Sequence, residues 1–162
     1  IRAVAEIDDM PLHLDIIGTG PYFEDLKKIS RDLRTDERVT FHGRVTDDEL
    51  NLAYSSADNY LIPTTRYEGL PLALLEAMAH GIPTISSEIG GNSDVITHNH
   101  DGIFIKPGNL SELISAIRRL GNDQEERRRI SQAARATTER RFDKERMIDE
   151  TLQTLESLTN MS

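Results

Sequence analysis

Glu68 and Glu76 close the two ends of the run Glu68-Gly69-Leu70-Pro71-Leu72-Ala73-Leu74-Leu75-Glu76, so that seven residues separate two carboxylates. The run begins as a loop and becomes strongly apolar, and Pro71 suits the first position of a helix, where its missing N–H is not needed. Gly81 ends that helix and Pro83 keeps it from restarting. Glu68 is therefore expected ahead of the helix and Glu76 on its second turn. A carboxylate among Leu74, Leu75, Ala77, Met78 and Ala79 either faces outward or is buried with a partner. A helix N-terminus flanked by two such acceptors can hold a ligand that carries both phosphate and hydroxyl groups. Backbone N–H groups and the helix dipole face the anion, and the carboxylates accept from the hydroxyls.

The elements that must position these residues can be read from periodicity. Apolar, β-branched runs recur at 12–17, 38–42, 59–63, 82–86 and 102–105, with helical patterns between them. Residues 22–33 put Phe23, Leu26, Ile29 and Leu33 on one helical face. Thr46-Asp47-Asp48-Glu49 is a capping box that opens a helix to about Ser55, and Asn109 with Glu112 repeats the logic for a helix to Leu120. From Asp123 to Met161 the chain reads as wholly helical and charged. Short strands alternating with helices predict an α/β domain: right-handed βαβ units, a mainly parallel sheet, helices on both faces. In such sheets ligands bind beyond the carboxyl ends of the strands. Those ends are 18–21, 43–46, 64–70, 87–93 and 106–109, and the glycines and carboxylates of interest fall on them or on the helix that follows.

Five segments in order carry a family likeness: Ile16-Ile17-Gly18-Thr19-Gly20-Pro21, Val39-Thr40-Phe41-His42-Gly43-Arg44-Val45, Ala57-Asp58-Asn59-Tyr60-Leu61-Ile62-Pro63, the Glu68–Glu76 run, and Gly90-Gly91-Asn92-Ser93-Asp94-Val95-Ile96 with Asp101-Gly102-Ile103-Phe104-Ile105 behind it. Together they resemble the nucleotide-binding half of retaining GT-B glycosyltransferases of family 4 (group 1), whose E-x7-E motif the Glu68–Glu76 run matches, over roughly residues 1–140. The resemblance implies a Rossmann-like three-layer domain, the C-terminal half of a GT-B fold with a helical C-terminal tail. It implies a nucleoside diphosphate sugar as donor substrate, no further cofactor, and no metal.

The resemblance also assigns roles. Glu76 would accept from the ribose hydroxyls of the donor; the bland reading is a solvated or arginine-paired helix carboxylate. Glu68 would contact hydroxyls of the transferred sugar near the anomeric carbon, as the candidate catalytic residue that positions and stabilises charge rather than attacking; its alternative is an ordinary loop residue. Gly69, Leu70 and Leu72 would offer N–H groups to the diphosphate. Gly43, Arg44 and Val45 would hold the nucleobase, with solvation the alternative for the Arg44 side chain. Gly18 and Gly20 are half of a dinucleotide fingerprint, with Phe23 at the third glycine position, which argues against a standard NAD site; they serve as a tight turn or as a donor contact. Gly90 and Gly91 suggest a close backbone approach beside the ligand or a turn into a short helix, with Asp94 as a cap. The Arg127-Arg128-Arg129 run reads as a solvated helix face, and His98 and His100 as solvated loop residues.

Composition narrows the partners. The 162 residues carry a formal net charge of -9, which disfavours nucleic acid or an anionic membrane as the main partner. There is no cysteine, hence neither a disulfide framework nor a Cys-based zinc site, and the five histidines show no metal spacing. No apolar run is long enough to cross a bilayer, so no direct membrane span is expected. The chain begins at Ile1 inside a helical pattern, and we expect one nucleotide-sugar-binding domain over 1–162, a fragment lacking its first strand and the N-terminal acceptor-binding domain that would be its partner. The expected setting is cytoplasmic, with any membrane association carried by the missing domain. The competing classes are a stand-alone nucleotide-binding or regulatory domain and a GT-B sugar-nucleotide epimerase.

Overall fold

The computed structural model describes residues 1–159; Met161, the expected end of the helical tail, lies outside the described residues. Element order is α1 (Arg2–Glu6), β1 (Leu14–Ile17), α2 (Phe23–Asp32), β2 (Val39–Gly43), α3 (Asp47–Ser56), β3 (Tyr60–Ile62), α4 (Leu72–Ala79), β4 (Thr84–Ser87), α5 (Asn92–Val95), β5 (Ile103–Ile105), α6 (Leu110–Asn122), α7 (Gln124–Arg141) and α8 (Lys144–Thr159). Each of the five β-branched runs forms a strand, and every pairing between them is parallel.

The expected single sheet is divided. β1 pairs with β2, and separately β3, β4 and β5 form a three-stranded sheet in that order. No ladder joins β1 to β3 among the described residues. Side-chain periodicity could not have shown this, because it fixes which face of a strand is buried and not which strand lies beside it. The two parts are tied instead by side chains: Arg38, just ahead of β2, donates to the carbonyl of Ile7 at 2.6 Å.

Around the second sheet the layers follow strand alternation. Ile103 and Ile105 of β5 join Ile85, Ile7, Ile114, Ile117, Leu120 and Ile130 in one buried cluster. Phe104, between them in sequence, packs with Leu74, Met78, Val95, Ile96 and Ala134 on the other face. Helices thus cover both faces, and β4 is buried at all four positions. β1 and the end of β2 are covered less, each alternating half-buried and exposed residues; α2 packs on them through Phe23, whose ring meets Phe41 edge-on at 5.8 Å.

Local signals set the helix ends. Thr46 accepts from the Glu49 N–H while Glu49 reaches back to the Thr46 N–H at 2.7 Å, so the capping box at α3 is complete. At α6 only half of that logic holds. Asn109 accepts from the Glu112 N–H, but the Glu112 carboxylate takes the N–H of Lys106 and the amide of Asn109 instead. Pro71 is the N-cap of α4, one place earlier than expected; its carbonyl accepts from Leu74 and Leu75. The C-terminus of α4 is a Schellman motif: Gly81 at φ +72 lets its N–H reach the Met78 carbonyl and the Ile82 N–H reach that of Ala77. The charged tail breaks at Phe142–Asp143 into α7 and α8. Its arginines are not simply solvated, since Arg127 donates to the carbonyls of Leu120 and Gly121, and Arg129 to that of Asn99.

Candidate functional site

The loops after β1, β2, β3 and β4 supply the predicted residues, and the structure gathers them into two groups. In the first, the Gly18 N–H donates to the Gly43 carbonyl at 2.7 Å, so the glycine turn after β1 and the loop after β2 lie against each other. Both residues have positive φ. The Gly20 carbonyl accepts from the N–H of Phe23, the first residue of α2. Arg44 is exposed and Val45 half-buried, directly ahead of the capping box at Thr46.

The second group is built on the loop between β3 and α4. Arg66, Tyr67, Glu68, Gly69 and Leu70 are all exposed. The loop rests on the turn after β4. The Gly91 N–H donates to the Glu68 carbonyl at 2.9 Å. A Cβ on Gly91 would stand 1.4 Å from the Gly69 carbonyl oxygen, and one on Gly90, at φ +59, 2.5 Å from that of Glu68. No side chain fits there, which is the physical reason for two glycines in succession. The turn is itself anchored, because buried Asn92 donates to the Ser87 carbonyl at 3.1 Å. The expected turn into a short helix is present, with Gly91 as the N-cap of α5, and the same pair makes a close approach to the Glu68–Gly69 backbone. Asp94 does not cap α5; it sits in its first turn, and its carbonyl accepts from Arg141.

Leu72 is the first residue of α4, and its N–H belongs to the terminal set that has no intrahelical acceptor. Its side chain and that of Leu70 are largely exposed. Glu76 lies on the second turn and faces outward, with a protein partner that the sequence did not signal: the Tyr54 hydroxyl donates to Glu76 Oε2 at 3.1 Å. The Tyr54 ring also stacks on His80, one turn beyond Glu76, at 5.1 Å between centroids. Burial, then the neighbouring Tyr60 and Glu76, push the Tyr54 phenol above its ordinary range. Tyr60 is raised as well, by burial and then by the negative fields of Glu76 and of Glu68. In both residues the neutral phenol is favoured.

Several other titratable residues serve structure. His42 pairs with Asp15 at 2.6 Å and His13 with Thr40 at 2.8 Å across β1 and β2. His98 is exposed, as expected of a solvated loop residue, and also accepts from the Phe104 N–H and stacks on that ring. Buried Asp101 accepts from the Thr97 N–H and the Thr137 hydroxyl. Among the described residues no group of three or more His, Cys, Asp or Glu could hold a metal ion. No helix among them is long and apolar enough to cross a membrane.

The family model described as glycosyl transferases group 1 matches residues 1–137. A sulfoquinovosyl transferase of Arabidopsis thaliana is 36% identical over 138 residues, covering 83% of this chain and 26% of that protein. A GDP-mannose-dependent phosphatidylinositol monomannoside mannosyltransferase of Mycobacterium tuberculosis is 35% identical over 118 residues, covering 69% of this chain and 31% of that protein. Among solved structures, the sucrose-phosphate synthase of Thermosynechococcus elongatus superposes with a TM-score of 0.90 at 26% identity, over 99% of this chain and 41% of that one. The UDP complex of HepE from Anabaena superposes equally well, at 0.90, over 96% of this chain and 43% of that one; at 24% identity this is a likeness of fold. The chain thus spans well under half the length of these relatives. The α/β architecture with parallel sheets and a helical tail is that of GT-B glycosyltransferases.

Proposed function

This chain belongs to the glycosyl transferases group 1 family, and on that premise we propose that it is the donor-binding domain of a retaining, family 4 glycosyltransferase. The full protein transfers a hexose from a nucleoside diphosphate sugar to an acceptor, in the biosynthesis of a glycolipid or polysaccharide. The acceptor is bound by a further domain, in keeping with the fraction of its relatives that the chain spans.

The observation that carries this reading is the Glu68–Glu76 segment: an exposed loop seated on a side-chain-free turn, running into a helix whose second turn presents a carboxylate. In this reading the terminal N–H groups of α4 and those of Gly69 and Leu70 meet the diphosphate, where they oppose the charge that grows on the leaving group. Glu76 accepts from the ribose diol. Hydrogen bonds to a charged acceptor contribute about 1.5–3 kcal/mol each. Glu68 contacts the transferred sugar and stabilises charge near the anomeric carbon. Gly43, Arg44 and Val45 receive the base, with Gly18 and Gly20 beside them. UDP accompanies the HepE structure, and GDP-mannose is the donor named for the mycobacterial relative, so uracil and guanine are the first bases to test.

Glu76→Ala should weaken binding of UDP or GDP by about tenfold to a hundredfold, the equivalent of about 1.4–2.8 kcal/mol. Glu68→Ala should leave binding of the sugar-free nucleotide nearly unchanged and depress kcat/KM of the full-length enzyme for the sugar nucleotide, because its contact is made to the reacting sugar. Calorimetry on the chain and steady-state kinetics on the full protein decide. Parent-like nucleotide affinity in a folded Glu76→Ala variant would remove the ribose assignment. Titrations with and without EDTA should coincide.

A further inference from the structure

Tyr54 stands 22 residues before Glu76 on a different helix, yet its hydroxyl is aimed at one carboxylate oxygen of Glu76. The side chain is held from three sides. Its ring stacks on His80 at 29° between planes, lies 6.3 Å from the ring of Tyr60, and its hydroxyl end is fixed by Glu76. His80 is the C-cap of the helix that carries Glu76, one turn on, so the phenol touches α4 and its end on one face. An exposed glutamate on a helix has three rotatable bonds and samples many rotamers; a donor fixed from another element removes most of that freedom. A carboxylate offers about four acceptor sites over its two oxygens. Tyr54 uses one, on Oε2, and leaves Oε1 and the second site of Oε2 for a ligand. That remainder is what a vicinal diol needs, one acceptor per hydroxyl.

We propose that Tyr54 is a positioning residue for the donor site: its phenol fixes the Glu76 carboxylate in the orientation that receives a ribose diol, and so sets the preference for ribo- over deoxyribonucleotides. The inference rests on the reading of Glu76 as the ribose acceptor. It adds a part that the motif itself does not contain. α3, which carries Tyr54, starts directly after Gly43, Arg44 and Val45, so one helix spans from the proposed base loop to the proposed ribose acceptor. Burial and neighbouring negative charge favour the neutral phenol, the form that donates to Glu76.

The test is a double-mutant cycle read by calorimetry with UDP, GDP and their 2′-deoxy forms, on the chain as it stands. Tyr54→Phe keeps the ring and its stacking on His80 and removes only the donor. It should weaken the ribonucleotide by about three- to tenfold and the 2′-deoxynucleotide, which keeps only the 3′-hydroxyl for Glu76, by less, so that the ribo-to-deoxy ratio falls toward one. In the Glu76→Ala background the same change should have no further effect. Three results would overturn the proposal. The first is a ribo-to-deoxy ratio in Tyr54→Phe equal to that of the parent while Glu76→Ala still weakens binding; Glu76 would then orient itself. The second is an equal loss from Tyr54→Phe with and without Glu76, which marks a general effect on α3. The third is a parent that binds none of these nucleotides at millimolar concentration, which removes the donor reading and the positioning role with it. Thermal unfolding of each variant shows that the fold is intact, and Tyr54→Leu, which also loses the stacking, separates ring from hydroxyl.

Discussion

Around Gly90–Gly91 the proposed sugar and phosphate loop is pressed against backbone that leaves no room for a methyl group. Around Gly18–Gly20 the proposed base side lies open: a Cβ on either glycine would meet nothing within 4 Å. The sheets beneath differ in the same way. β4 is buried at every position, whereas β1 alternates between half-buried and exposed residues. Packing density resists displacement, because a close-packed interior transmits a shift where a loose one absorbs it. The proposed sugar and phosphate side therefore rests on the more densely buried sheet. The proposed base side rests on the less buried one. If the proposal holds, the base side can vary without disturbing the sugar and phosphate side.

The contrast can be broken by substitution. The largest effect is expected at Ile85, fully buried in β4: Ile85→Ala should lower stability by about 2–5 kcal/mol through lost transfer energy and a residual cavity. Ile17→Ala, at a β1 position with 37% of its surface exposed, should cost about 0.5 kcal/mol or less. Equilibrium denaturation measures both, and equal losses would mean the two sheets are equally packed. Next come two glycines. Gly91→Ala should cost about 1–3 kcal/mol by overpacking and should weaken nucleotide binding, since either the Glu68–Gly69 loop or the turn must move. Gly20→Ala should be neutral or slightly stabilising in a thermal melt. A Gly91→Ala variant with parent-like melting and binding would show that the seat yields.

Smaller effects sharpen the picture. Thr46→Ala removes one arm of the capping box that starts α3 and should cost about 1 kcal/mol. If α3 fixes Tyr54 as argued, the ribo-to-deoxy preference should fall in parallel. The smallest expected change is in pH dependence. The Glu126 carboxyl is held below its ordinary range by hydrogen bonds from Arg119, chiefly, and Arg129, against the opposing effect of desolvation. A carboxylate lowered on folding contributes stability that is fully present above its unfolded pKa, about 4.3, and lost as pH falls through the lower folded value. Melts between pH 6 and pH 3 should therefore decline less steeply for Glu126→Gln than for the parent below about pH 4.3. Identical slopes would place the acid sensitivity elsewhere.

The parts of this molecule that the sequence makes legible are the local ones. β-branched runs mark five strands, and Thr46 with Glu49, or Gly81 with Pro83, mark helix ends, because those signals act within a few residues of chain. The glycine pair at 90–91 announces a close approach, yet what it approaches lies about twenty residues upstream, and no spacing rule names Glu68 and Gly69 as the partner. The same holds for Tyr54 on Glu76 and for Arg127 on the carbonyls that end α6. A tyrosine on a charged, half-exposed helix carries no mark of its target until tertiary packing brings α3 against α4. The division of the sheet was hidden for the same reason, since pairing between strands is a property of neighbours.

All the strand pairs are parallel, with consequences for how the chain finds its structure. Leu14 must meet Val39, Tyr60 must meet Thr84, and Ile85 must meet Ile103. Each pairing closes a loop of about twenty residues before any ladder bond forms. No two-residue hairpin is available to nucleate a sheet, because parallel neighbours need a crossover connection. A helix collapsing onto its flanking strands is then the expected start, and α4, between β3 and β4 with its Gly81 end sealed, is one such unit. The Glu68–Glu76 segment would then be among the first parts of the chain to become ordered during folding, and mutations that slow folding should concentrate there rather than around β1 and β2.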